Sequence, residues 1–149
     1  MEEYLDNIDL QTVSMQTLAF IGDAVYNVYI RSYLASKSNH ATGKLHQESI
    51  PYVSARGQSK IIDAIIDKLT PEEVEVFKRG RNTNIATVSK HVDIVEYKKA
   101  TGLEALLGYL YVKREKKRLD EIVAWCIESF KRGDKHEWYG TIKRTIRTK

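Results

Sequence analysis

The chain has 149 residues, 42% hydrophobic and 30% charged, the balance of one globular domain and not of a disordered tail, a collagen or a multidomain enzyme. Lys and Arg outnumber Asp and Glu by 24 to 20, a net charge of +4 that permits a polyanionic partner without requiring one. The single cysteine, Cys126, excludes an internal disulfide and a four-cysteine zinc site. With no apolar run near the ~20 residues that span a bilayer and an acidic Glu2-Glu3 start unlike a secretory signal, a cytoplasmic chain without a membrane segment is expected.

The positive excess is confined to one end. Residues 131 to 149 carry seven Lys or Arg against two Asp or Glu, whereas the rest carry 17 against 18. This divides the chain into a globular domain at 1–132 and a basic tail at 133–149, the tail acting either as loose attraction for a polyanion or as a solubilising charge.

With two prolines and apolar residues recurring at helical spacing, the chain reads as all-α. Ser14 is an N-cap for a long helix from about Met15 to Ala35, its stripe formed by Leu18, Ile21, Val25, Val28 or Tyr29, and Ser32 or Tyr33. A shorter helical piece lies around Leu45 to Ser49. Pro51 then opens a helix through Ile61, Ile62, Ile65, Ile66 and Leu69, with Arg56 and Lys60 on its outer side. Thr70-Pro71-Glu72-Glu73 combines a cap, a proline at the first helical position and a reciprocal glutamate, which starts a short helix with Val74 and Phe77 inward and an end near Arg79-Gly80. Arg81 to Val92 is a Thr-, Asn- and Ser-rich loop without an acid, long enough to have a function of its own. A helix from about Ile94 or Thr101 to Lys113 carries Leu103, Leu106, Leu107, Leu110 and Tyr111, and a last one from Leu119 to Phe130 ends before Gly133.

Two segments set one carboxylate among small residues on otherwise apolar helices: Phe20-Ile21-Gly22-Asp23-Ala24-Val25-Tyr26 and Leu103-Glu104-Ala105-Leu106-Leu107-Gly108-Tyr109. Gly22, Ala24, Ala105 and Gly108 allow two helices to approach closely, so that Asp23 and Glu104 can meet across the seam. Paired carboxylates repel unless a cation lies between them, and Mg²⁺ suits one or two carboxylates completed by water and phosphate oxygens. The other reading of the spacing is two ordinary surface acids paired with Lys or Arg.

Both segments, in this order, resemble the signature stretches of ribonuclease III catalytic domains. Together with Val53-Ser54-Ala55 and Arg79-Gly80-Arg81-Asn82 they are most similar to the short subclass, Mini-ribonuclease III, over roughly residues 10 to 130. The resemblance implies an all-α homodimeric helical bundle that cuts double-stranded RNA with Mg²⁺, or Mn²⁺ in its place, leaving 5′-phosphate and 3′-hydroxyl ends. For the subclass it implies maturation of large-subunit ribosomal RNA precursors. It makes Asp23 and Glu104 catalytic metal-binding acids and Phe20 a dimer anchor, the lesser alternative for Phe20 being a monomer's core aromatic. Positions that are typically acidic in full-length ribonucleases III are here Gln16, Ala19 and Thr101, so weak metal binding without RNA is expected. The residues after Gly133 are too few for a double-stranded-RNA-binding domain, so the RNA grip is expected from the catalytic domain itself.

Duplex RNA is recognised through phosphates, 2′-hydroxyls and shape. Lys78, Arg79, Arg81 and Lys90 form a cation cluster with no acid between them, interleaved with Asn82, Thr83 and Asn84. Arg56 and Lys60, one turn apart, either extend this phosphate track or are solvated surface charges. His40, His46, His91 and His136 have no metal-ligand spacing. The competing function is a catalytically silent double-stranded-RNA-binding protein of the same fold, motivated by Gln16, Ala19 and Thr101. A helical protein-interaction module is the third reading.

Overall fold

Local signals set the helix boundaries. Helix α1 (Glu2–Asp6) precedes α2 (Met15–Lys37), which starts where Ser14 Oγ accepts the Thr17 amide at 3.1 Å. Helices α3 (Thr42–Val53) and α4 (Ala55–Ile65) follow, α4 running into a 3₁₀ turn at Ile66–Lys68. Helices α5 (Pro71–Arg81), α6 (Ile94–Val112) and α7 (Lys116–Arg132) complete the computed structural model, which describes residues 1–84 and 93–132. Every regular element among these residues is helical, as the spacing predicts. Lys90, His91, His136, Gly133 and the basic tail lie outside them.

The capping box of α5 forms as read: Thr70 Oγ1 accepts the Glu73 amide at 3.2 Å, and Glu73 Oε1 accepts the Thr70 amide at 2.9 Å. Glu73 is buried and also takes a two-pronged pair from Arg118, at 2.7 and 2.8 Å, which ties α7 to α5. Asp93 caps α6 by accepting the Glu96 amide at 3.1 Å, so this helix begins at Ile94 and not at Thr101.

Helix α6 is the central element, packed by α2, α4, α5 and α7. It is apolar nearly all round, with Leu103, Ala105, Leu106 and Leu107 fully buried, as a core helix must be. Tyr26, Ile30, Ile61, Ile62, Phe77 and Ile122 pack around it.

Two sequence expectations are corrected. Pro51 does not open a helix; it sits in the last turn of α3, where its missing N–H forfeits a single bond. The start signal is Ser54, in extended backbone, whose Oγ accepts the Gly57 amide at 3.1 Å. The buried stripe of α2 is also different from the one marked by large apolar residues: Met15, Leu18, Ala19, Gly22, Tyr26, Ile30 and Leu34 face inward, leaving Phe20 80% and Val28 65% exposed. The inner face includes small residues because a helix backbone, not a side chain, lies against it.

That backbone belongs to α6. A Cβ on Gly22 would fall 1.7 Å from the Glu104 carbonyl oxygen, and one on Gly108 would fall 1.9 Å from the Leu18 carbonyl oxygen. The two helices therefore touch main chain to main chain at this crossing. Gly to Ala in a helix normally stabilises by about 1 kcal/mol. Here Gly108→Ala should reverse the sign and destabilise by about 3 kcal/mol, because backbone atoms cannot rotate out of the way. Urea unfolding of the two chains measures it, and a stabilised variant would refute the close crossing.

Candidate active site

The glycine crossing decides where the two acids go. Asp23 follows Gly22, and Glu104 supplies the carbonyl against which Gly22 rests, so the seam sets the two acids close enough for the Asp23 charge to act on Glu104. Asp23 is exposed and Glu104 is partly buried. Burial pushes the Glu104 carboxyl up to about 7, the neighbouring Asp23 charge pushes it the same way, and a hydrogen bond from Gln58 opposes both. Neither acid forms an ion pair with Lys or Arg among the contacts of the described residues.

The direction of the Glu104 shift has a measurable consequence. The folded chain holds this proton more tightly than the unfolded chain, whose carboxyl titrates near 4.5. Between about 4.5 and about 7 the metal-free fold therefore loses stability as pH rises. Glu73, whose carboxyl Arg118 holds below the usual range, acts oppositely, but only below that window. Thermal melts in EDTA should show a decline with pH across the window that Glu104→Gln removes; an unchanged pH slope in that variant contradicts the assignment.

Two side chains absent from the sequence reading complete the site. Gln58 Nε2 donates to Glu104 Oε1 at 3.1 Å and to the Val53 carbonyl at 2.8 Å from a position only 1% exposed. Its signal was a polar residue in register with Ile61, Ile62 and Ile65 on the inner face of α4. Asn27, one turn after Asp23, donates to Asp23 Oδ1 at 3.0 Å and to the Asp23 carbonyl at 2.8 Å.

The three non-acidic positions are otherwise engaged. Gln16 Nε2 donates to the Asn84 carbonyl at 3.0 Å, Ala19 is buried, and Thr101 Oγ1 donates back to the Tyr97 carbonyl at 3.0 Å. No cluster of three or more metal-ligating His, Cys, Asp or Glu exists among the described residues. The donor set is thus two carboxylates with like charge. Such a set fits a hard divalent ion that keeps waters and takes further oxygens from a bound phosphate, and it does not fit a closed protein cage.

Cationic residues flank this point on two elements. Gly80, near the end of α5, packs on Gly102 and Ala105 of α6, a Cβ there lying 2.7 Å from the Ala105 Cβ, which brings the basic end of α5 to the turn carrying Glu104. Lys78 and Arg79 are exposed in that last turn; Arg81 is partly buried over the Phe77 ring and donates to Asn82 Oδ1 at 3.1 Å. Asn82 and Asn84 are exposed, the latter tethered by Gln16 to the start of α2. Arg56 and Lys60 lie on α4, the helix whose inner face delivers Gln58. Cys126 is fully buried, with its thiol pushed up to about 12, and is not a nucleophile at neutral pH.

On the far lip of Asp23, α1, α2 and the start of α7 enclose an apolar groove of about 810 Å³ bordered by Leu5, Phe20, Val25, Val28, Tyr29 and Leu119. Phe20 stands exposed at its edge, so it is not a core residue of the single chain.

The sequence comparisons assign this all-α fold to a class of RNA-cleaving enzyme. The ribonuclease III domain family matches residues 16–115. The chain belongs to the ribonuclease III family and is an endoribonuclease. Within that family it is 45% identical to the Mini-ribonuclease 3 of Streptococcus pneumoniae, over 81% of this chain and 96% of that one. It is 42% identical to the Mini-ribonuclease 3 of Clostridium tetani, over 87% and 86%. A Fusobacterium nucleatum protein solved by X-ray crystallography superposes with a TM-score of 0.72 at 32% identity, over 80% of this chain and 96% of that one. No helix among the described residues is long and apolar enough to cross a membrane.

Proposed function

We propose that the chain is a Mg²⁺-dependent, homodimeric endoribonuclease of the cytoplasm that cuts both strands of double-stranded RNA, with large-subunit ribosomal RNA precursors as its natural substrate. One observation carries this reading: two acids set beside a glycine crossing, one of them desolvated, with no basic partner for either among the described residues. Residues 1–132 form the catalytic unit, and the tail at 133–149 adds nonspecific attraction for RNA.

Asp23 and Glu104 would hold the ion. When bound, it supplies Lewis-acid polarisation of the scissile phosphate and activation of water for in-line attack, with Mn²⁺ able to substitute. Asp23, at the surface, meets the RNA side of the site, and Glu104, set deeper, fixes the inner side. Lys78, Arg79, Arg81, Arg56, Lys60 and Lys90 hold the phosphate track, and Asn82 and Asn84 reach sugars or base edges. No covalent enzyme intermediate is needed, because the nucleophile is water and the leaving group is the 3′-oxygen, which leaves 5′-phosphate and 3′-hydroxyl ends. The exposed Phe20 and the apolar groove beside it support pairing with a second copy, each Phe20 entering the other's groove.

Against this stands the silent double-stranded-RNA-binding reading, which family membership does not favour. Incubation of a long RNA duplex with the protein and Mg²⁺, followed by end mapping, separates the two. Staggered cuts with 5′-phosphate and 3′-hydroxyl ends are expected, and binding without cleavage would establish the silent reading.

A further inference from the structure

We propose that two neutral amides, Asn27 and Gln58, are positioning residues that hold the carboxylates of Asp23 and Glu104 in the orientation that receives the cation, an inference that rests on the metal-site reading above. The two contacts are parallel. Asn27 Nδ2 donates to Asp23 Oδ1 at 3.0 Å and Gln58 Nε2 to Glu104 Oε1 at 3.1 Å, so each carboxylate is gripped at one oxygen by one amide. The second oxygen of each lies outside these bonds.

Both amides are themselves anchored to main chain. The second hydrogen bond of Gln58 goes to the Val53 carbonyl at 2.8 Å, at the end of α3, and that of Asn27 goes to the Asp23 carbonyl at 2.8 Å. Flipping Gln58 would turn its carbonyl oxygen towards two acceptors, so its orientation is fixed. The consequence is an Oε1 atom buried without a hydrogen-bond partner among the described residues. An orphan acceptor of this kind is destabilising, and it offsets part of what the two donated bonds contribute. The bond to Val53 is a structural role for a glutamine at this site, 1% exposed, and the reach to Glu104 is a second, separate one.

The chemistry of an amide fits the task. A Lys or Arg in either place would orient the acid but cancel the charge that attracts the ion. An amide donor carries no net charge, so it fixes the carboxylate and leaves its field intact. This matters more here than in a site with four or five acids, because Gln16, Ala19 and Thr101 contribute no charge, and the entropy of orienting two side chains is a larger share of the binding free energy.

The test is a titration of Mn²⁺ alone into wild type, Asn27→Ala and Gln58→Met, with free ion counted by electron paramagnetic resonance and folding checked by circular dichroism melts. Each substitution should weaken Mn²⁺ binding about tenfold or more. The melting temperature of Gln58→Met should fall modestly, because the Val53 carbonyl loses its donor, so the readout that a purely structural glutamine would not move is the Mn²⁺ affinity of the folded variant. Unchanged Mn²⁺ affinity in Asn27→Ala, or in folded Gln58→Met, overturns the proposal. If Gln58→Met fails to fold, Asn27→Ala decides alone, since it alters a helix surface where alanine is a good helix former. Asp23→Asn and Glu104→Gln run alongside. If these two leave Mn²⁺ binding intact, the metal-site reading itself fails; if they abolish it and the amide variants do not, only the positioning inference fails.

Discussion

Asp23→Asn should lower cleavage of double-stranded RNA by about a thousandfold or more at saturating Mg²⁺, some 4 kcal/mol of transition-state stabilisation, while duplex affinity changes by no more than about threefold. Asparagine keeps the shape of the side chain but removes half of the negative charge that the site offers. Because Asp23 is exposed, the replacement desolvates nothing and opens no cavity. It also relieves the repulsion that Glu104 feels from its neighbour, so the variant should fold at least as well as wild type. The loss would fall on kcat and not on binding, because the substitution leaves the proposed phosphate track on α4 and α5 untouched. Single-turnover cleavage in parallel with gel-shift binding in Ca²⁺ measures both terms. Residual activity within tenfold of wild type would remove Asp23 from the mechanism.

Phe20→Ala should convert a dimer to a monomer at micromolar concentration. A fully buried phenylalanine is worth about 2 kcal/mol, and in a two-fold interface each substitution acts twice, so the dimer would weaken by about 4 kcal/mol, close to a thousandfold in Kd. The fold of each chain should be indifferent, since Phe20 is 80% exposed. Sedimentation velocity across a dilution series reads the change. Because Asp23 borders the same groove as Phe20, the monomer should also cleave poorly. A variant that sediments like wild type places the dimer contact elsewhere, and a wild type that is monomeric throughout contradicts the pairing of Phe20 with the groove.

Most of the helical framework was legible because its signals are local. Ser14, Thr70 with Glu73, and the spacing of leucines in α6 act within one or two turns, and the structure follows them. The glycine seam was legible in part: Gly22 and Gly108, near acids on apolar helices, make the close crossing, whereas Ala24, read with them, is exposed, and the spacing alone equally allowed two ordinary surface acids. The faces of α2 were not. Periodicity ranks large apolar residues as core, but α2 has two apolar faces, one against the α6 backbone and one bearing Phe20 and Val28 at the surface. Nothing in a single chain's hydropathy separates a core from an uncovered interface. Pro51 misled because a proline is permitted both in the first turn of a helix and near the end of one, and the deciding cap, Ser54, lies three residues on. Gln58 and Asn27 were missed because their partners are set by tertiary packing and by a side-chain rotamer, respectively. Of the cations proposed to face RNA, Lys78 and Arg79 are exposed in the last turn of α5, whereas Arg81 is partly committed to the Phe77 ring.

The central claim is that Asp23 and Glu104 share one divalent ion. Anomalous diffraction from crystals of the protein with an RNA duplex, soaked in Mn²⁺, tests it directly. The predicted result is a peak between the two side chains, about 2.0 to 2.4 Å from an oxygen of each, with its remaining ligands water or phosphate oxygens. A peak held by only one of the acids, or by neither, would contradict the account.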